Sequence, residues 1–189
     1  MTETLAEPRA TLADLHRYPD GKFELIDGRI QEFPMPGDAA ARIGGNIYFL
    51  LRLFVMSRGR GQARPDSLDY ALLRPLRSGR ESFRPDASFY SRPPPADGRE
   101  FVQGPPDLAV EVRSGADYGP DAERAIAAKV ADYLEAGTAA VWDVDPQART
   151  VTLHRRDRPG EPLVFRAGQA AHAEPAVPGW SVPVDDIFA

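Results

Sequence analysis

Apolar and polar residues alternate from Phe23 to Phe33, and Asp27-Gly28 interrupts the alternation once. That pattern predicts a strand over Phe23–Ile26, a tight turn, and a second strand over Arg29–Phe33. Asp-Gly supplies the left-handed pair that a two-residue hairpin loop needs. Pro34 and Pro36 close the unit. Upstream, Thr11–Leu15 reads as a short helix capped by Thr11 and ended by Pro19-Asp20-Gly21. Downstream the period becomes helical: Ile43, Ile47, Leu50, Leu51, Phe54 and Val55 recur every three or four residues. This predicts a core-facing helix over Ala39–Met56, with Asp38 as its cap and Arg58-Gly59-Arg60-Gly61 as its end.

Strands are expected over Ser67–Leu73 and Asp86–Tyr90, with a polar loop, Arg77–Glu81, between them. The proline-rich stretch from Pro93 to Pro106 reads as a long excursion, a lid or a surface loop. The apolar run Leu108–Val112 is a further strand. Pro120 opens a helix that runs to Glu135 and stops at Gly137. Ala139–Val144 and Thr150–His154 are strands. Because a strand–helix–strand crossover joins parallel neighbours, the run from Leu108 to Val144 predicts a parallel pair inside a mixed sheet. The fold class is therefore α/β, a mixed β-sheet flanked by helices. One domain over residues 1–189 is expected, with 1–20 as an N-terminal helical extension. The tail, 168–189, packs back on the core through its apolar segment around Trp180.

Composition narrows the class. The chain of 189 residues is 42% hydrophobic and 27% charged, ordinary values for a globular protein, and it has no cysteine for disulfides or thiolate metal sites. No apolar stretch reads as a membrane span, and the first residues lack a secretion signal, so no membrane partner and a cytoplasmic location are expected. The formal charge of −5 argues against a protein whose main task is to coat nucleic acid. The arginines at 52, 58, 60, 64, 74, 77, 80 and 84 form either a solvated surface or a rim that faces phosphate.

Only two of the twenty-three basic residues are lysine, and Lys129 lies inside a patterned helix. Glu111 interrupts an apolar strand, where a charge needs a partner or a purpose. Leu108, Val110 and Val112 share one face of that strand, and Ala109 and Glu111 the other. Asp86 begins a strand, where its side chain projects at a sheet end. If those strands are neighbours, the three charges meet. Asp86 and Glu111 would then hold Mg²⁺, or Mn²⁺, together with a backbone carbonyl, waters and a phosphate oxygen. Such an ion would lower the pKa of a bound water, and Lys129 would orient that water or stabilise charge. A general-base role for Lys129 is disfavoured, because two neighbouring carboxylates push its pKa up. Tyr133 and Trp142 read as core residues.

The order of several short stretches carries a resemblance. They are Phe23-Glu24-Leu25-Ile26-Asp27-Gly28, Arg42-Ile43 with Gly45-Asn46, Arg84-Pro85-Asp86, and Pro106 through Val112 with Ser114. Lys129 through Gly137, Val141 through Pro146, and Pro178-Gly179-Trp180 to Ile187-Phe188 complete the set. Together they resemble the Uma2 family, also described as DUF820 or "putative restriction endonuclease", within the PD-(D/E)XK nuclease-like superfamily. The resemblance implies a restriction-endonuclease-like core, with Asp86 and Glu111 as metal ligands and Lys129 as the catalytic lysine. It also implies Glu24 as an accessory acid, beside the plainer reading of a polar hairpin residue. The superfamily's usual lysine two residues after the second acid is Arg113 here, so the lysine comes from the next helix. Family members often carry a histidine where this chain has Ala40, and His16, His154 and His172 do not replace it.

The expectation is a Mg²⁺-dependent endonuclease that hydrolyses DNA phosphodiester bonds. The alternative is a non-catalytic, nucleic-acid-associated or regulatory module that retains the nuclease fold. A site enclosed in a narrow pocket would favour a smaller phosphate ester. A homodimer would suit cleavage of both strands of a duplex, although no coiled coil specifies one.

Overall fold

A computed structural model of the chain describes residues 9–15, 17–18, 21–67, 69–93 and 101–189. The expected N-terminal segment 1–8, His16, the Pro19-Asp20 helix stop and the stretch 94–100 of the proline-rich excursion lie outside the described residues. The elements begin with α1 (Leu12–Leu15), β1 (Lys22–Ile26), β2 (Arg29–Phe33), α2 (Asp38–Arg58), β3 (Gln62–Pro65) and β4 (Tyr70–Ala71). They continue with β5 (Ser82–Phe83), β6 (Ala87–Tyr90), β7 (Val102–Gln103), β8 (Leu108–Val112), α3 (Pro120–Ala136) and β9 (Ala140–Asp145). Last come β10 (Thr150–Arg155), β11 (Arg158–Phe165), β12 (Ala170–His172), β13 (Ser181–Pro183) and α4 (Val184–Ile187).

A six-stranded sheet in the order β11-β10-β9-β8-β6-β3 divides the molecule. Only β8 and β9 run parallel in it, joined by α3, as the crossover rule requires. On one face α2 contributes Ile43, Ile47, Leu51 and Val55 to a core shared with Leu108, Val110, Val112 and Trp142. The C-terminal segment closes that core with Val177, Trp180, Val184 and Ile187. On the other face Val130 and Tyr133 of α3 pack with Ala109, Val141 and the three-stranded sheet β5-β4-β7. The β1–β2 hairpin stands at the edge of this second layer, and its Phe23 and Leu25 pack on Leu15.

Local chemistry explains the boundaries. Asp27 and Gly28 have φ of 50° and 68°, the left-handed pair of a tight hairpin turn. Gly137 ends α3 in the left-handed region, its N–H donating to the carbonyls of Tyr133 and Leu134. Gly37, not Asp38, is the N-cap of α2. Asp38 instead sits in the first turn, where its charge still complements the helix dipole.

Of the strand expected over Ser67–Leu73 only the short β4 forms among the described residues, and a turn at Asp66 and Ser67 separates it from β3, which was not expected. Prolines hid β3 and β11 from sequence reasoning. Both are edge strands of the main sheet, where Pro65, Pro159 and Pro162 need not supply a ladder donor. One mixed sheet was expected, whereas the described residues form the six-stranded sheet and three smaller ones. Within the proline-rich excursion, β7 pairs with β4. The expectation that no stretch reaches membrane-spanning length also needs correction. By length and composition α2 passes that test, while its buried stripe packs against the sheet.

Trp142 and Trp180 stack with ring centroids 5.0 Å apart, which joins the C-terminal segment to the centre of the sheet. Trp180→Ala is expected to lower the unfolding free energy by about 3–5 kcal/mol in urea denaturation, as large-to-small core changes do. It should also expose the segment after Gln169 to early proteolytic cleavage.

Candidate active site

Strand parity decides which charges meet. On β1, Lys22 and Glu24 occupy alternate positions and share the face opposite Phe23 and Leu25. On β8, Glu111 points to the α3 side and pairs in register with Asp143 of β9. Asp86 precedes β6, and its N–H donates to the Val110 carbonyl at 2.9 Å, so its side chain stands beside the end of β8. Lys129 and Tyr133, four residues apart on α3, reach down to Glu111.

The four residues singled out from the sequence come together. The Lys129 ammonium donates to Glu111 Oε2 at 2.9 Å and lies 3.2 Å from Glu24 Oε1. Asp86 joins them through Lys22, whose Nζ is 2.6 Å from Asp86 Oδ1 and 4.0 Å from Glu111 Oε2. The second oxygen of Asp86 accepts the Val112 N–H at 2.7 Å. The second oxygen of Glu111 accepts the Tyr133 hydroxyl at 2.6 Å. Lys22, Asp86, Glu111 and Lys129 line one wall of a half-open cavity of about 410 Å³, whose other walls include Phe33, Pro36, Ile126 and Arg113, while Glu24 and Tyr133 are buried behind it.

Sequence reasoning missed Lys22, Tyr133 and Arg80. Lys22 carried a signal, since it is the chain's other lysine and stands two residues before Glu24. Tyr133 is buried and stacked on Phe83, as a core residue would be, yet its hydroxyl serves the site. Arg80 was grouped with a surface or phosphate-facing rim. It is instead 8% exposed, with its guanidinium bridging Glu24 and Asp132. Arg84 likewise grips Asp69 with two hydrogen bonds of 2.7 Å. Neither arginine is free to face phosphate. Arg113 is held by Asp143 at 2.8 and 2.7 Å and by Glu123 at 2.5 Å, so it clamps β9 to the start of α3. Ala40 lines a smaller cavity on the other flank of Asp86.

Burial and neighbouring charge pull the titrations apart. Burial pushes the Glu111 carboxyl up, but Lys129, Lys22 and Tyr133 outweigh it and hold it below the usual range. Burial wins at Asp86: helped by the Glu111 charge, it keeps that carboxyl raised in spite of Lys22. Burial opposes the charge on Lys22, yet Glu111 and Asp86 raise its pKa. For Lys129 the expectation of an upward push is reversed, since burial, reinforced by Lys22, exceeds the pull of Glu111 and lowers it. Lys129 is thus a readier proton donor than an exposed lysine. Burial and the Glu111 charge push the Tyr133 hydroxyl well above its ordinary value, which keeps it a donor.

Asp86 and Glu111 offer hard carboxylate oxygens around a position already taken by a cation, the Lys22 ammonium. That donor chemistry fits Mg²⁺, which is often held by one or two carboxylates with water and substrate phosphate completing its shell. No group of three or more His, Cys, Asp or Glu suited to a metal occurs among the described residues, which leaves any ion dependent on such outside ligands.

The order of the main sheet, its one parallel pair and the charged cavity fit an α/β protein with a restriction-endonuclease-like core. A family model, Uma2, described as "Putative restriction endonuclease", matches residues 10–185, and the chain belongs to that family. Among solved structures, that of a "putative nuclease belonging to DUF820" from Anabaena variabilis ATCC 29413 is similar, with a TM-score of 0.74. The match covers 94% of this chain and 97% of that one at 22% identity, and it supports the fold. No curated protein matches the sequence.

The Arg80 clamp makes a stability prediction. Arg80→Met would leave Glu24 and Asp132 buried without their shared cation. Chemical denaturation should then show a loss of about 3–5 kcal/mol, the usual cost of breaking a buried ion pair from one side.

Proposed function

We propose that this protein is a Mg²⁺-dependent endonuclease that hydrolyses DNA phosphodiester bonds, with Mn²⁺ as a substitute ion. One observation carries the reading. Asp86, Glu111 and Lys129, from segments far apart in sequence, converge at one wall of a half-open cavity, with the buried Glu24 behind Lys129. Membership of the "Putative restriction endonuclease" family supports the same reaction class.

In this reading Asp86 and Glu111 hold the ion, and their orientation is fixed by the Val112 N–H and the Tyr133 hydroxyl. When bound, the ion would activate a water and offset phosphate charge. Lys129 holds a water or a non-bridging phosphate oxygen through the ammonium hydrogens that its carboxylate partners do not use. Glu24, buried and tied to Arg80, anchors that ammonium from behind, so its role is positioning. Lys129 shares its charge with Glu111 and Glu24, so holding charge or water is favoured over abstracting a proton.

A second reading, a non-catalytic module that retains the fold, draws on a specific observation: every carboxylate oxygen of Asp86 and Glu111 has a protein partner. Cleavage assays on supercoiled plasmid and on single-stranded DNA, with Mg²⁺, Mn²⁺ or EDTA, decide between the two. The wild-type chain is expected to nick or cut only with a divalent ion. Glu111→Gln, Asp86→Asn and Lys129→Met should each lower the rate by about 10²-fold or more, the scale on which loss of one charge-stabilising group is felt. Absence of metal-dependent cleavage, or cleavage untouched by all three substitutions, would reject the enzyme.

A further inference from the structure

Lys22 bridges the two acids proposed above to hold a metal ion. Its ammonium is 2.6 Å from Asp86 Oδ1 and 4.0 Å from Glu111 Oε2. Mg²⁺ approaches its oxygen ligands to about 2.0–2.1 Å. An ion bound to both carboxylates would therefore overlap the space of the ammonium, and two cations cannot share it. The remaining partners of Asp86 and Glu111 are placed differently. The Val112 N–H and the Tyr133 hydroxyl hold the other carboxylate oxygen of each pair, and Lys129 approaches Glu111 from α3. None of these three bridges the two acids.

We propose that Lys22 is a resident cation, which keeps Asp86 and Glu111 together in the metal-free protein and must withdraw before a divalent ion binds. It thereby sets the affinity of the site for metal. The inference rests on the metal position proposed above and adds to it a residue that competes for that position. Several observations support an ammonium that can leave. Lysine is a point charge on a flexible four-carbon stem, unlike the forked arginines nearby. A half-buried carboxylate, Asp66, lies close enough for its charge to favour the protonated Lys22, and it makes no ion pair among the described residues. Asp66 and Asp86 both line the smaller cavity, of about 180 Å³, on the flank away from Lys129. Asp66 thus offers an acceptor for the displaced charge beside Asp86.

The consequence is quantitative. If the withdrawn arrangement makes up about one tenth of the metal-free population, the apparent dissociation constant is about tenfold weaker than the intrinsic one. Replacing Lys22 by an uncharged side chain removes that factor and also removes the cation that offsets two buried acids.

The test uses the full chain with Mn²⁺ as the probe, followed by calorimetric titration and by thermal melting with and without the ion. Lys22→Met is expected to bind Mn²⁺ on the order of tenfold more tightly than wild type. It should melt lower than wild type without the ion and regain most of that loss when saturated. Lys22→Arg, which keeps a cation on the carboxylates, should bind Mn²⁺ no more tightly than wild type. Equal or weaker affinity in Lys22→Met, with wild type binding normally, would overturn the competing role and leave the metal site standing. So would a Lys22→Met melting deficit that saturating Mn²⁺ leaves unchanged, since that is the behaviour of a merely structural lysine. Binding by neither protein would reject this inference together with the metal position itself.

Discussion

Two buried carboxylates side by side repel each other and lose their hydration, so the region around Asp86 and Glu111 is stable only if cations are brought to it. Much of the architecture serves that need. From one end to the other, charges alternate: Asp86, Lys22, Glu111, Lys129, Glu24, Arg80 and Asp132. The members come from the hairpin, the central sheet, α3 and the loop that bonds to β1. The same row of charges that makes the cavity polar also fixes three layers relative to one another. A slip of one residue in the β1 register would put Phe23 and Leu25 into the charged layer and send Lys22 and Glu24 into the apolar cluster around Leu15.

The main sheet keeps this chemistry away from its own foundation. Its α2 face is closed by the stacked tryptophans and a largely aliphatic core. The α3 face accepts charge because β8 and β9 are parallel and in register, which sets Glu111 beside Asp143 and lets Arg113 fasten the latter to α3. A site carried by strands and a helix is held more firmly than one built on loops. Arg80 and Asp86 come from irregular positions, but the Arg80 segment is bonded to β1 through the Glu81 N–H and the Leu25 carbonyl, and Asp86 to β8 through its own N–H and the Val110 carbonyl.

Much of this was legible in the sequence where a single local rule governs. The Asp27-Gly28 hairpin, the α2 stripe, the Pro120-to-Gly137 helix and the parallel crossover all follow from turn chemistry and periodicity. Glu111 could be named because a charge in an apolar strand asks for a partner, Lys129 because lysine is scarce in this chain, and Asp86 because it stands at the start of a strand. The rest depended on pairings that sequence cannot order. Edge strands with prolines look like loops until a neighbour is present to tolerate them. Arg80 and Arg84 look like surface until Glu24, Asp132 and Asp69 are found beside them. Tyr133 satisfied every expectation for a core residue and still donates to Glu111. Lys22 was the readable one, because the scarcity that drew attention to Lys129 applied equally to it.

That scarcity has a physical reading. Where this chain needs a fixed clamp it uses arginine: Arg80 between Glu24 and Asp132, Arg84 on Asp69, Arg113 on Asp143 and Glu123. A planar fork places donors on two oxygens at once in a fixed geometry. Both lysines instead touch the carboxylates at the cavity, where a single ammonium can share, shift or release its partner. The division follows from geometry and does not depend on which reaction the cavity serves. A site that must exchange a protein cation for a ligand needs a cation held strongly enough to tolerate burial, yet by contacts that break one at a time. An arginine at position 22 would meet the first requirement and fail the second.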